Sequence, residues 1–332
     1  MVAFGFLFAL AAASSTLAHP IHHHQDRDLR IVGSSMSTVW KRQAVPGSEF
    51  SVLVDGNKAF KDSTDSALLK KLADEGQAPP FMFIGCSDSR VSEGTVFQAK
   101  PGTLFTERNI ANQFQPTDPN AQAVLSYAVA ELGVQHVIVM GHYGCGGIAA
   151  AIASPPASSV DAANGAVQAW IEPIREQLRT STRTEIVELR EKIKGRTDVE
   201  EPEISDPGFR ALVEENVKAG VSRIAANSVI VNHYATLAGV KASERRDDHA
   251  PLGDVFIHGW VYDIENGEVR DLGISVGPPG KAIPAPPFAA VAKAAEKTTV
   301  SHEAPKAEPV QSVEARCQEQ CKTKRSFLPR DH

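Results

Sequence analysis

The chain has 332 residues, 42% of them hydrophobic and 22% charged, an ordinary balance for a globular protein with a sizeable core. A net charge of −6 offers no electrostatic attraction for nucleic acid or for an anionic membrane surface. No internal repeat divides the sequence, and beyond its N-terminal run no segment is long and apolar enough to span a bilayer.

Residues 1–18, MVAFGFLFALAAASSTLA, form an apolar run ending in small residues and predict a secretory signal cleaved after Ala18. The run lacks a basic start. A buried or anchoring helix and a mitochondrial presequence are the other readings, the latter disfavoured because no arginine precedes Arg27. Residues 19–44 are polar and carry His22, His23 and His24 in a row. They read as a solvated segment, or as a propeptide released at Lys41-Arg42. Two other dibasic pairs, Arg245-Arg246 and Lys324-Arg325, make that processing signal a weak one.

Phe81–Gly85 is a short apolar run leading straight into Cys86 and predicts a buried strand. Thr103–Glu107 is a second strand candidate. Within Asn120–Leu132, the residues Ala121, Val124, Leu125, Ala128 and Leu132 recur at helical spacing, and Gly133 closes the helix. His136–Met140 is another buried strand and runs into Gly141-His142. Strand, helix and strand joined by short links imply a parallel sheet, with both strands ending at the residues of chemical interest. Gln168–Gly195 predicts helix outside the sheet, 199–208 a solvated loop, and 209–226 a further helix. Val255–Tyr262 and Val269–Ile274 flank Glu265-Asn266-Gly267-Glu268, a hairpin signal. From residue 281 to 332 the chain is rich in proline and alanine at first, then speckled with charge, and predicts a disordered tail. Residues 45–280 therefore form one α/β domain: a mostly parallel central β-sheet flanked by helices, ending in an antiparallel hairpin.

Two motifs carry chemistry, CSDSR at Cys86–Arg90 and GHYGCGG at Gly141–Gly147. Cys86, His142 and Cys145 are the soft and borderline ligands that zinc prefers, and three protein ligands leave a fourth position for chemistry. Asp88 can fill that position or orient what sits there, and Arg90 can pair with Asp88 and keep it ionised. A disulfide between Cys86 and Cys145 is the rival, but it leaves His142 and Asp88 without a role. Cys317 and Cys321, four apart in the tail, are open to a local or intermolecular disulfide or to neither.

These motifs, together with PGTLF at Pro101–Phe105, RNIAN at Arg108–Asn112, LSYAVAELGV in the helix, EENV at Glu214–Val217 and HGWVYDIENGEVRDL at His258–Leu272, resemble the β-class carbonic anhydrases. The resemblance runs in consistent order over residues 45–276 and includes neither end of the chain. It implies one Zn2+ per chain on Cys86, His142 and Cys145, with Asp88 and Arg90 as the catalytic dyad. It implies reversible hydration of CO2 to bicarbonate and a proton, by zinc-hydroxide attack that the dyad orients. Asp88 would ligate the zinc itself in a closed state. Gln77 would help bind the substrate oxygen across a homodimer interface, the backbone N–H of Gly146 would face the same pocket, and Phe105, Ile110 and Tyr127 would form its apolar wall. Two departures stand out. Tyr143 occupies a position where many relatives carry serine. Phe83 replaces a tryptophan typical of members with a regulatory bicarbonate site, which points to a zinc open to water. Two thiolates cancel the charge of the metal, so an alkaline activity optimum is expected. Hydrolysis of CS2 or COS on the same fold, and a secreted non-catalytic zinc protein, are the competing functions. The second nitrogen of His142 needs a hydrogen-bond partner that the sequence does not identify.

Overall fold

In a computed structural model, residues 49–156, 162–239 and 252–291 are described. The expected signal at 1–18, the histidine cluster, all three dibasic pairs and the tail cysteines lie outside those residues.

Two helices, α1 (Ser51–Ser63) and α2 (Ser66–Glu75), come first, with Asp65 capping α2 through the Ala67 N–H. They were not read from the sequence. Neither buries a residue within the protomer, so neither contributes to its core. Among the described residues five strands follow: β1 (Phe81–Cys86), β2 (Leu104–Asn109), β3 (His136–His142), β4 (Phe256–Asp263) and β5 (Glu268–Val276). They form one sheet in the order β2-β1-β3-β4-β5, parallel except for the β4–β5 hairpin. The predicted mixed α/β sheet is therefore the one observed. The hairpin turns through four residues, 264–267. Gly267 takes a positive φ of 79° there, and the Asn266 side chain accepts the Glu268 N–H at 2.9 Å.

Side chains alternate across the sheet. Met82, Ile84, Val137, Val139, Ile257 and Val261 face the main core, which is shared with α4 (Pro119–Ala130), α5 (Gly146–Ile152), α6 (Ala162–Thr180), α7 (Thr184–Ile193), α8 (Pro207–Ala225) and α9 (Ser228–Leu237). Helix α8 lies closest. A Cβ on Gly141 would sit 2.6 Å from Val217 Cγ2, so only glycine lets α8 and β3 approach this far. The single helix expected over 168–195 is two, α6 and α7, broken at 181–183. There Arg190 Nη1 donates to the carbonyls of Leu178, Arg179 and Ser181, which lie at the end of α6.

Phe83, Ile138, Met140 and Trp260 face the other way. Among the described residues, no long helix covers them. They are roofed by Phe97, just after the short helix α3 (Glu93–Val96), and by Phe288. The Phe288 ring meets Trp260 edge-on at 5.0 Å between centroids. Residues 281–291, the start of the stretch read as a mostly disordered tail, pack here, and the rest of that stretch lies outside the described residues. Asp271 N–H donates to Ala289 O at 3.0 Å and Val291 N–H to Asp271 O at 2.9 Å, tying this strap to β5. An apolar sheet face without a helix has to be covered by something, and the single phenylalanine of a Pro/Ala-rich stretch does it.

Candidate metal centre

Cys86 ends β1, His142 ends β3, and Cys145 caps the start of α5. β1 and β3 are neighbouring parallel strands, so the two motifs leave the same edge of the sheet side by side. All three side chains are buried, and their ligand atoms lie within 4.8 Å of one another, the two sulfurs 3.9 Å apart. The Cys145 hydrogen bond pulls the Cys86 thiol down to about 4, and the same bond with full burial pushes Cys145 up.

The partner that the sequence left unidentified for His142 is the carbonyl of its own neighbour. His142 Nδ1 lies 3.1 Å from Tyr143 O, which accepts its proton and leaves Nε2 with a free lone pair. Nε2 is buried and without a hydrogen-bond partner, a costly state for an imidazole nitrogen unless a cation satisfies it. Two thiols and this nitrogen are a donor set suited to zinc, with room for a fourth ligand.

Asp88 and Arg90 stand beside the cluster. Arg90 grips the carboxylate with two parallel bonds, Nε to Oδ1 at 2.9 Å and Nη2 to Oδ2 at 2.6 Å, and its backbone N–H adds a third at 2.9 Å. Burial pushes the Asp88 carboxyl up, but these bonds outweigh it and hold the group below its ordinary value. Asp88 Oδ2 is 3.8 Å from His142 Nε2. Arg90 Nη2 also donates to Gly144 O at 3.1 Å, linking the two motif loops. Gly144 has a φ of +73°, and a Cβ there would lie 2.8 Å from Ile204 Cδ1.

Two further residues shape the site and were not singled out by sequence. Arg108 donates to the carbonyls of Cys86 at 2.9 Å and Asp88 at 2.8 Å, pinning the first loop to β2. Asn216 Nδ2 donates to Ala111 O at 2.8 Å, steadying a turn in which Ala111 adopts φ 62°. The signal for both was their membership of RNIAN and EENV, which assigned them no task.

The expected pocket residues are brought together in part. Ile110 abuts Gly147, where an added Cβ would meet Ile110 Cγ2 at 2.6 Å. Phe105 and Tyr127 stack on each other at 5.8 Å, with Tyr127 half exposed. Gly146 opens α5 directly after Cys145. Gln77 lies exposed in the link between α2 and β1, and Phe83 is buried against Phe97 on the far face of the sheet.

A family profile described as carbonic anhydrase matches residues 81–269, more than half of the chain. The chain belongs to the β-carbonic anhydrase family. A carbonic anhydrase of Emericella nidulans is 31% identical over 227 residues, covering 67% of this chain and 82% of the relative. One from Pseudomonas aeruginosa is 29% identical, over 66% of this chain and 86% of its own. Among solved structures, a Coccomyxa β-carbonic anhydrase in complex with acetazolamide is similar at a TM-score of 0.53 and 28% identity, over 69% of this chain and 89% of that one. A β-carbonic anhydrase of Sordaria macrospora, described as tetrameric, is similar at 0.52 and 30%, over 68% and 98%. In this β-carbonic anhydrase, the family match spans the Cys86–His142–Cys145 cluster, Asp88, Arg90 and most of the hairpin, and leaves α1, α2 and the Phe288 strap outside it. Among the described residues, no helix is long and apolar enough to cross a membrane.

Proposed function

We propose that this chain catalyses the zinc-dependent, reversible hydration of CO2 to bicarbonate and a proton. The observation that carries the reading is a buried Cys86–His142–Cys145 cluster with an unpartnered His142 Nε2, beside an aspartate clamped by Arg90. Cys86, His142 and Cys145 hold the zinc, which when bound supplies the Lewis acidity that makes water a nucleophile near neutral pH.

The remaining work falls to the chain's own groups. Asp88, ionised and fixed in direction, would accept a hydrogen bond from the attacking oxygen and so aim its lone pair at the CO2 carbon. Arg90 keeps Asp88 ionised and occupies both of its oxygens, so the carboxylate orients the nucleophile while the pair is intact. When the pair breaks, Asp88 is free to ligate the metal and close the site. Ile110, with Phe105 and Tyr127, forms the apolar wall that holds CO2. The N–H of Gly146 and the side chain of Gln77 bind the substrate oxygen, Gln77 from a second copy of the chain. A homodimer or larger assembly is supported by the apolar stripe Phe50, Leu53, Val54 and Phe60 on α1, where Phe50 is 73% and Leu53 68% exposed. Secretion after cleavage at Ala18 completes the proposal.

Stopped-flow CO2 hydration from neutral to alkaline pH, with metal analysis of the same sample, tests the reading. One zinc per chain, rapid hydration increasing toward alkaline pH, and a loss of about 100-fold or more in Asp88→Ala are expected. Bound zinc without hydration at any pH would overturn it, and would leave CS2 or COS hydrolysis, or a non-catalytic zinc protein, to be assayed instead.

A further inference from the structure

We propose that Tyr143 is a positioning residue, whose buried side chain fixes the His142 imidazole and thereby how firmly the centre holds its metal ion. This rests on the reading of Cys86, His142 and Cys145 as metal ligands.

Tyr143 lies between two of those ligands in sequence and is 3% exposed. Its backbone performs one task, accepting the Nδ1 proton of His142. That carbonyl can turn the imidazole correctly only if the peptide itself cannot rotate. Three contacts prevent rotation. The Tyr143 N–H donates to Tyr262 O on β4 at 3.0 Å. The phenol O–H donates to Glu214 Oε1 on α8 at 2.7 Å. The Arg210 guanidinium lies 3.5 Å above the ring, itself held by Asp263 at 2.8 Å.

Glu214 is anchored in turn. Its Oε2 meets Arg183 Nη1, at the start of α7, at 2.7 Å. A carboxylate buried this deeply is costly unless paired, and removing one partner from such a pair is strongly destabilising. If Tyr143 only filled space, a phenylalanine would serve under Arg210 and no buried acid would be needed on α8. The hydroxyl instead ties the ligand loop to a helix that spans the core. The next residue, Gly144, presents its carbonyl to Arg90, so the same short loop orients both a metal ligand and the dyad.

Hydrogen-bond partners of metal-ligating histidines change metal affinity by roughly 10–100-fold when lost. Tyr143 acts through its backbone, one step further away, which puts the expected effect near the lower end, about 10-fold. The full chain is loaded with zinc or cobalt, and two quantities are read: the rate of zinc release to a chromophoric chelator, and the visible ligand-field bands of the cobalt form. Tyr143→Phe keeps the ring but removes the hydroxyl. Glu214→Asp keeps the charge for Arg183 but shortens the reach to Tyr143. Each variant should release zinc about 10-fold faster and shift the cobalt bands, and the double variant should be no worse than either alone. Wild-type release rates and unchanged bands in both variants, even with a lower melting temperature, would overturn the proposal by reducing Tyr143 to packing. Additive effects in the double variant would also overturn it, since the two groups would then act independently. A wild-type chain that takes up neither ion would overturn the metal reading as well, and is recognised before any variant is compared.

Discussion

Arg90 occupies both oxygens of Asp88, and the planar fork of its guanidinium is what allows it. A lysine has one donor position where the fork has two, and cannot also reach the Gly144 carbonyl in the same geometry. Arg90→Lys should therefore retain metal but lose about 10-fold or more in CO2 hydration, because Asp88 is no longer held away from the metal. Equal metal content and full activity would show that charge alone suffices. At this scale the sequence was informative about what the groups are and silent about what holds them. Cys86, His142, Cys145, Asp88 and Arg90 were legible because few other roles suit those residue types at that spacing. The Tyr143–Glu214 bond was not, since it joins residues 71 apart whose meeting depends on how α8 crosses the sheet. Arg108 was missed for the same reason: its partners are backbone carbonyls, which leave no mark in a sequence.

Among the elements, the strands were the most legible, because runs such as Met82–Ile84 and Val137–Met140 are buried on both faces and hydrophobic throughout. The helix break at 181–183 was not, since its capping depends on Arg190 folding back from the next helix. Neither was the strap, whose one anchoring ring stands among prolines and alanines. The start of β3 and the middle of β4 share another feature. His136 Nδ1 lies 3.0 Å from His258 Nε2, and His258 Nδ1 2.9 Å from Ser275 Oγ, so the imidazoles form a short hydrogen-bonded chain. Burial, with His136 nearby, lowers His258 to about 4, and burial lowers His136 as well. The folded state thus resists a proton that the unfolded chain accepts near the ordinary value of 6.5. Stability from this pair is present above that value and is lost as pH falls from 6.5 toward about 4. The melting temperature should drop across that interval, and His258→Gln should flatten the slope; an unchanged slope would remove the pair from the account.

For the whole molecule, α1 and α2 are the elements whose sequence makes least sense in a single chain. Phe50, Leu53, Val54 and Phe60 recur at helical spacing yet bury nothing within the protomer. In the assembly proposed above, a second copy covers this stripe and receives Gln77, just after α2, at its own site. Leu53→Asp should shift the molar mass measured by light scattering toward that of a monomer, with activity falling alongside. A wild-type chain that is monomeric and fully active would show that neither α1 nor Gln77 acts across an interface.

The 3.9 Å separation of the Cys86 and Cys145 sulfurs has a consequence if the chain is secreted, as proposed, through an oxidising compartment. Before zinc arrives, one thiolate can attack glutathione disulfide, releasing one reduced glutathione and leaving a mixed disulfide, and the second thiolate can then displace the other reduced glutathione, joining the two cysteines. That two-electron oxidation consumes two of the three ligands at once. Zinc-loaded protein should keep both thiols when incubated with glutathione disulfide, while metal-free protein should lose them and then refuse zinc until reduced, as thiol titration and metal uptake would record. If the chain is exported as proposed, its competence would depend on a race along that route, won only where the ion reaches the nascent fold ahead of the oxidant.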